Sequence, residues 1–331
     1  MSPAASKKPS TRPKRVASTA VSGAPVGSMD LRGTNRAHPA LGVGLWNMGR
    51  WTAEDEARTK ATIGRAYERG FRWFDTAEVY GNGRSERLLG EVLRRAAGDA
   101  PDAFVVTKVS WEHLRASQVR ASLVNSLERL GRRSVDLYLV HAPEAHVPLT
   151  ETMPALEALW KEGRVGAIGV SNFSVEELRS AQSALAEARI AVNQVRYNLF
   201  DREDADPIRE HCRAEGILIE AYTPLAKGLL AGRYLTGKGL PAEVRRYAQR
   251  ALAPDRLATI LERARTLAAL AEEAKVPLAS IALHWLERPG AAPVVGMSRP
   301  EQVDANLAAW TARPSAAVLD RADAIARGER A

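Results

Sequence analysis

The chain has 331 residues, of which 45% are hydrophobic and 26% charged, and it carries a net charge of +8. That composition supplies a large core and excludes an intrinsically unfolded chain, and no apolar run approaches the roughly 18 residues that span a bilayer. Cys212 is the only cysteine, which excludes an intrachain disulfide and a cysteine-based metal cluster and favours a reducing, cytoplasmic compartment.

The positive charge is unevenly spread. Residues 1–29 contain Lys7, Lys8, Arg12, Lys14 and Arg15 and no acid, so five of the eight net charges lie there. The segment is rich in Ser, Ala and Pro and is expected to be a disordered, solvated tail, with a targeting or polyanion-binding arm as the alternative. It lacks the apolar stretch of a secretory signal, and its prolines oppose the amphipathic helix of a transit peptide. Elsewhere arginines alternate with acids, as on solvated helix faces, so neither a nucleic-acid partner nor a membrane surface is expected.

From residue 41 on, short apolar runs alternate with longer amphipathic ones. Leu41-Gly-Val-Gly-Leu-Trp46 is strand-like, and 54–69 has apolar positions at helical spacing. The runs 71–74, 103–108, 135–141 and 165–171 predict further strands, each followed by a helical pattern at 85–96, 117–130, 151–162 and 175–186. Ile190-Ala-Val-Asn-Gln194 precedes a helix over 207–215, which Gly216 is expected to close. The run 217–222 precedes an irregular stretch and then a helix over 257–275, and the last strand, near 292–295, precedes a helix over 300–310. An additional helix is expected at 280–288.

Eight strand-then-helix units at about 30-residue spacing are the pattern of parallel βαβ construction. Their number predicts an α/β protein with a single (β/α)8 TIM barrel over 30–320 and a C-terminal tail over 321–331. The interval 228–256 exceeds a plain βα loop and is either a lid over the active face, with Arg233, Tyr234, Arg245, Arg246 and Tyr247, or a structural excursion.

A barrel places catalytic side chains at the carboxyl ends of its strands. Asp75 ends the second strand, Lys108 the third and His141 the fourth; Ser171 and Asn172 end the fifth, Gln194 the sixth and Tyr222 the seventh. Each alone has a plainer reading: Asp75 as a loop cap, Lys108 reaching solvent, His141 as a hydrogen-bonded structural residue. Six consecutive strands ending this way are hard to treat as accidents. Tyr80 follows Asp75 by five residues, before a Gly-Asn-Gly turn. A lysine paired with Asp75 and aimed at Tyr80 would lower the tyrosine pKa, and the phenol could then serve as general acid to a carbonyl oxygen gaining negative charge. His141 could hydrogen-bond the same hydroxyl or the substrate oxygen. No metal-ligand spacing, nucleophile elbow or Walker loop is present, and Gly42-x-Gly44 lacks the third glycine of a dinucleotide fingerprint.

These stretches resemble the aldo-keto reductase family over roughly residues 41–310. The resemblance rests on Gly70-Phe-Arg-Trp-Phe-Asp-Thr-Ala-Glu-Val-Tyr80-Gly with Ser85-Glu86, on Thr107-Lys108 and on Val135-Asp-Leu-Tyr-Leu-Val-His141. It continues through Gly166-Ala-Ile-Gly-Val-Ser-Asn-Phe173, Asn193-Gln-Val-Arg-Tyr-Asn198, Ala221-Tyr-Thr-Pro-Leu225 and Gly296-Met-Ser-Arg-Pro-Glu-Gln-Val-Asp-Ala-Asn306. It implies an NADPH-dependent carbonyl reductase, NADH being possible, with Tyr80 as proton donor assisted by Lys108 and Asp75, and His141 orienting the carbonyl. It also implies that Gly44 and Asp75 border the cofactor, that Ser171, Asn172 and Gln194 hold the nicotinamide carboxamide, and that Tyr222 stacks on its ring. Thr223, Pro224, Leu225, Lys227 and Gly228 would embrace the pyrophosphate; Gly296, Met297, Ser298, Arg299, Gln302 and Asn306 would hold the adenosine end. Gly296 stands where some members have a lysine for the 2′-phosphate, which leaves that role to Arg299, and Ala305 replaces a glutamate that often meets the adenine. Trp46 and Trp111 are candidate walls for a small carbonyl substrate beside Tyr80 and His141, with Phe173 near them. An alternative within the same resemblance is a slow-turnover nucleotide-binding sensor like the potassium-channel β subunits.

Overall fold

Apolar runs rich in Val, Ile and aromatic residues, each followed by an amphipathic stretch, build a ring of strands inside a ring of helices. The protein is described from a computed structural model covering residues 28–29, 31, 38–46, 51–97, 102–235, 240 and 256–329. Two short strands, β1 (Ser28–Met29) and β2 (His38–Pro39), pair antiparallel. The barrel strands are β3 (Gly42–Gly44), β4 (Trp73–Asp75), β5 (Phe104–Val109), β6 (Val135–Val140), β7 (Val165–Ser171), β8 (Ile190–Arg196), β9 (Leu218–Tyr222) and β10 (Ala291–Gly296). They are parallel and closed, with β10 returning to β3 through the pairs Val294 to Gly42 and Gly296 to Gly44.

The surrounding helices are α1 (Ala53–Glu68), α2 (Arg84–Ala97), α3 (Ala116–Leu130), α4 (Leu149–Lys161), α5 (Val175–Ser183), α6 (Ala205–Glu215), α7 (Arg256–Glu273), α8 (Leu278–Glu287), α9 (Pro300–Thr311) and α10 (Ala316–Arg327). Local sequence sets their ends. Thr52 and Asp55 form a capping box at the start of α1, as do Ser174 and Glu177 at α5, each satisfying backbone N–H groups that the first turn leaves unpaired. Gly216 ends α6 in the left-handed region at φ 68°, as its position predicts.

Period-two alternation divides the barrel interior into two layers. Its inward apolar layer, which includes Trp73, Phe104, Val106, Leu137, Leu139 and Val192, is buried. A Cβ on Gly42 would come within 2.5 Å of the Trp73 ring, so only glycine lets β3 pass that indole. Two residues further along several strands the same face turns polar: Trp73 gives way to Asp75, Val106 to Lys108, Val192 to Gln194 and Leu218 to Glu220. The apolar layer closes the barrel below, and the polar layer sits above it.

Two expectations meet a different chain, and a third lies mostly outside the described residues. Helix α10 runs across the 320/321 boundary set for the C-terminal tail, and Ala322, Ile325 and Ala326 are buried there, because the helix needs to bury its alanine-rich face against α7 and α8. Residues 28–29, assigned to the basic tail, form β1; the rest of that assignment, residues 1–27, lies outside the described residues. Most of the expected lid, including Arg245, Arg246 and Tyr247, also lies outside them. No helix among the described residues is long and apolar enough to cross a membrane.

Candidate active site

The carboxyl ends of β4 and β5 bring Asp75 and Lys108 together. Lys108 is fully buried, and its Nζ donates to both Asp75 carboxylate oxygens at 2.7 Å and to the Thr76 carbonyl at 2.9 Å. The same ammonium donates to the Tyr80 hydroxyl at 3.4 Å. The Tyr80 oxygen is therefore an acceptor toward Lys108, and its own proton is available to the cleft. His141, just past β6, meets Tyr80 edge to face with ring centroids 5.5 Å apart, and Trp111 meets His141 likewise at 5.7 Å.

Burial sets the charge states. Desolvation pushes the Tyr80 pKa up to about 12, although Lys108 pulls the other way, so the phenol is neutral. This reverses the expected lowering: Lys108 acts as foreseen, but the loss of water around the ring outweighs it. His141 is lowered from 6.5 to about 3 by desolvation and then by the Lys108 charge, so its imidazole is neutral; its Nδ1 is buried without a partner among the described residues. Burial opposes the charge on Lys108, yet the Asp75 carboxylate and the nearby Tyr80 and Glu220 hold the ammonium above its ordinary range. Asp75 is raised, first by burial and also by Glu220, against the pull of Lys108. With both carboxylate oxygens on the ammonium, we assign the pair as an ion pair.

A cleft of about 710 Å³ opens above the polar layer. Asp75, Tyr80, His141 and Gln194 form its floor, and Trp46, 55% exposed, stands at its side with the Lys227 ammonium 3.8 Å from its ring centre. Gly44 lies between Gly296 and Asp75 in the barrel register. Past β7, Asn172 adopts φ 62° and accepts from the Tyr222 hydroxyl at 2.8 Å, while its amide donates to Ser171 Oγ and the His141 carbonyl. These bonds join the ends of β6, β7 and β9 into one wall.

After β9 the backbone leaves the common regions repeatedly. Thr223, Ala226, Lys227 and Gly228 have φ of 59°, 45°, 56° and 98°, and Thr223, Pro224, Leu225, Lys227 and Gly228 all border the cleft. Left-handed backbone in a β-branched residue is uncommon and marks a site that the surroundings hold under strain. Opposite, Gly296, Met297, Ser298, Gln302 and Asn306 border the cleft before and along α9; Gln302 Oε1 accepts from the Ser298 N–H at 2.7 Å. Arg299, at the N-terminal boundary of α9, is exposed and does not border the cleft.

Two of the expected wall residues sit elsewhere. Trp111 is 42% exposed and reaches the site through His141 rather than the cleft, and Phe173 is fully buried in the core behind β7. Residues that sequence reasoning missed include Arg196, two residues past Gln194 on the same face of β8, and Glu220, likewise two residues before Tyr222 on β9. Strand parity could have found both. Asp75 is the only acid bordering the cleft among the described residues, against Arg196, Lys227 and Arg233.

The model of the Aldo/keto reductase family matches residues 40–327. An uncharacterised oxidoreductase of Mycobacterium tuberculosis is 34% identical over 300 residues, 88% of this chain and 90% of that protein. The L-glyceraldehyde 3-phosphate reductase of Escherichia coli is 31% identical over 293 residues, covering 82% and 84% of the two chains. Among solved structures, an aldo/keto reductase from Klebsiella pneumoniae in complex with NADP and acetate is 29% identical with a TM-score of 0.68, covering 87% and 91%.

Proposed function

The chain belongs to the aldo/keto reductase family, and on that premise we propose that it reduces a small aldehyde or ketone to the alcohol with NADPH, Tyr80 supplying the proton. One observation carries this reading: a phenol kept neutral at the floor of the cleft accepts from a buried ammonium and keeps its own proton for the cleft. A carbonyl oxygen gaining negative charge needs that donor.

The residues of the cleft fit a nicotinamide dinucleotide. Gln194 and Asn172 present amide groups beside the floor, and Tyr222 lies alongside them. The turn from Thr223 to Gly228, with four residues at positive φ, borders the cleft, and Lys227 adds charge there for a pyrophosphate. The start of α9 carries the positive end of the helix dipole, which suits a further phosphate, with Arg299 beside it for a 2′-phosphate. A near absence of acids around the cleft agrees with a polyanionic ligand. When bound, the nicotinamide supplies hydride to the carbonyl carbon.

The chain's own residues then divide the work. Neutral His141 orients the carbonyl oxygen by hydrogen bonding. Tyr80 transfers its proton to that oxygen as charge develops, and Lys108, held in place by Asp75, stabilises the phenolate left behind. Trp46 gives the substrate side an aromatic character suited to apolar or sugar-like carbonyl compounds.

The test is NADPH consumption against a panel of aldehydes and ketones with Tyr80→Phe as the partner variant. The variant should lose about 10²–10⁴-fold in kcat with little change in cofactor affinity; turnover at the parent rate would remove Tyr80 from the mechanism. Arg299→Ala should raise KM for NADPH much more than for NADH, and equal effects on both would remove the 2′-phosphate contact.

A further inference from the structure

A second buried carboxylate lies beneath the site. Glu220 on β9 has no exposed side-chain surface, and its neighbour in register on β8 is Gln194. Glu220 Oε2 accepts from Gln194 Nε2 at 2.6 Å, and the same nitrogen donates to Asp75 Oδ2 at 2.8 Å. On its other side Glu220 Oε1 lies 2.9 Å from Nε2 of His38, which comes up from β2 and is also fully buried. His38 Nδ1 is 2.8 Å from the Pro39 carbonyl, which can only accept, so Nδ1 carries a proton. One further proton lies on the Nε2–Oε1 contact, whichever partner holds it, and Oε2 remains an acceptor.

This chain of contacts decides which way the Gln194 amide points. An amide nitrogen and oxygen are interchangeable in shape, and hydrogen bonding alone distinguishes them. Between two acceptor oxygens only the nitrogen fits, and both its protons are then used. The amide oxygen Oε1 is what Gln194 has left to offer the cleft it borders.

We propose that Glu220 is a positioning residue, anchored by His38, that holds the Gln194 amide with its oxygen toward the cleft and so makes the site select a ligand bearing an N–H donor there, the carboxamide of the nicotinamide. The inference rests on the cofactor reading above and adds what enforces it from below. Asp75 holds Gln194 from one side only; with the second acceptor removed, the amide is left on a single bond and can swing, so its oxygen is no longer held toward the cleft.

Binding to the full-length protein tests this without turnover. NADP+ is compared with its 3-acetylpyridine analogue, in which a methyl group replaces the carboxamide nitrogen. The parent should bind NADP+ about tenfold more tightly, the worth of one hydrogen bond to a buried acceptor. Glu220→Leu should reduce that ratio to below about threefold, and the double variant His38→Leu with Glu220→Leu, which leaves neither buried partner alone, should do the same. Glu220→Gln should keep the parent ratio, because its nitrogen can satisfy His38 while its oxygen still accepts from Gln194. A merely structural role would weaken both cofactors together and leave the ratio intact. Retention of the ratio in the double variant, or equal loss in Glu220→Gln and Glu220→Leu, overturns the inference, as does a parent that binds both cofactors equally. A parent that binds neither overturns the cofactor reading first, and the inference with it.

Discussion

The floor of the cleft and its rim hold their polar groups by opposite means. On the floor, Asp75, Lys108, Gln194 and Glu220 stand on four strands, are almost wholly buried, and fix each other through bonds of 2.6–2.8 Å. On the rim, Thr223 to Gly228 stand on irregular backbone with several residues in left-handed conformations. Each of these four has a buried partner on another strand, whereas the rim is held by its own turn hydrogen bonds and by Asn198 and keeps several residues at positive φ. Proton transfer needs atoms placed within a fraction of an ångström, whereas a long dinucleotide has to be admitted and released. The division suits the proposed reaction on both counts.

Removing one member of the floor should have the largest effect. Lys108→Met leaves the Asp75 carboxylate buried without its cation, and should cost about 3–5 kcal/mol of stability along with nearly all activity. Adding Asp75→Asn should restore much of the stability and none of the activity. Urea unfolding and steady-state rates on the two variants separate these effects, and recovery of both together would mean that the pair serves folding alone.

The floor's charge states give an effect of intermediate size. With Tyr80 near 12 and His141 near 3, neither group titrates around neutrality, so kcat for reduction should be flat between about pH 5 and pH 9. The same depression of His141 links to stability: its contribution is full above 6.5, where the unfolded chain's imidazole is also neutral, and is lost as pH falls toward about 3. His141→Gln should therefore remove on the order of 2 kcal/mol from the acid sensitivity of folding between pH 6.5 and 5. Identical pH–stability curves for parent and variant would contradict a buried neutral imidazole.

The rim should respond least in stability and differently in kind. Thr223→Gly relieves a β-branched residue at φ 59° and should be neutral or stabilising by roughly 1 kcal/mol. It should also weaken cofactor binding severalfold by loosening the turn. If both stability and affinity fell, the strain would be a necessity of folding and the contrast with the floor would disappear.

How much of this was legible in the sequence depends on which periodicity carried the signal. The eightfold strand-and-helix repeat exposed the barrel, and a barrel places strand-end residues at one face, so Asp75, Lys108, His141 and Gln194 could be named before any coordinates. Glu220 was hidden because a lone glutamate in an apolar strand gains meaning only from the register that sets it beside Gln194. His38 was hidden more deeply, since it reaches Glu220 across 182 positions of sequence from a strand too short to leave a pattern. The direction of the Tyr80 shift required weighing burial against a nearby charge, and a sequence displays the charge but not the burial. Helix α10 follows the last unit of the repeat, so counting strand-helix pairs gave no reason to expect it.

The short pairing of β1 with β2 bears on where this protein begins as a working unit. The family model's match starts at residue 40, two positions after His38. A fragment trimmed to that limit would retain every strand of the ring together with Asp75, Tyr80, Lys108 and His141, yet it would lack the imidazole that packs on Trp73 and Phe104. The Glu220 carboxylate would then be left inside the barrel without its His38 partner.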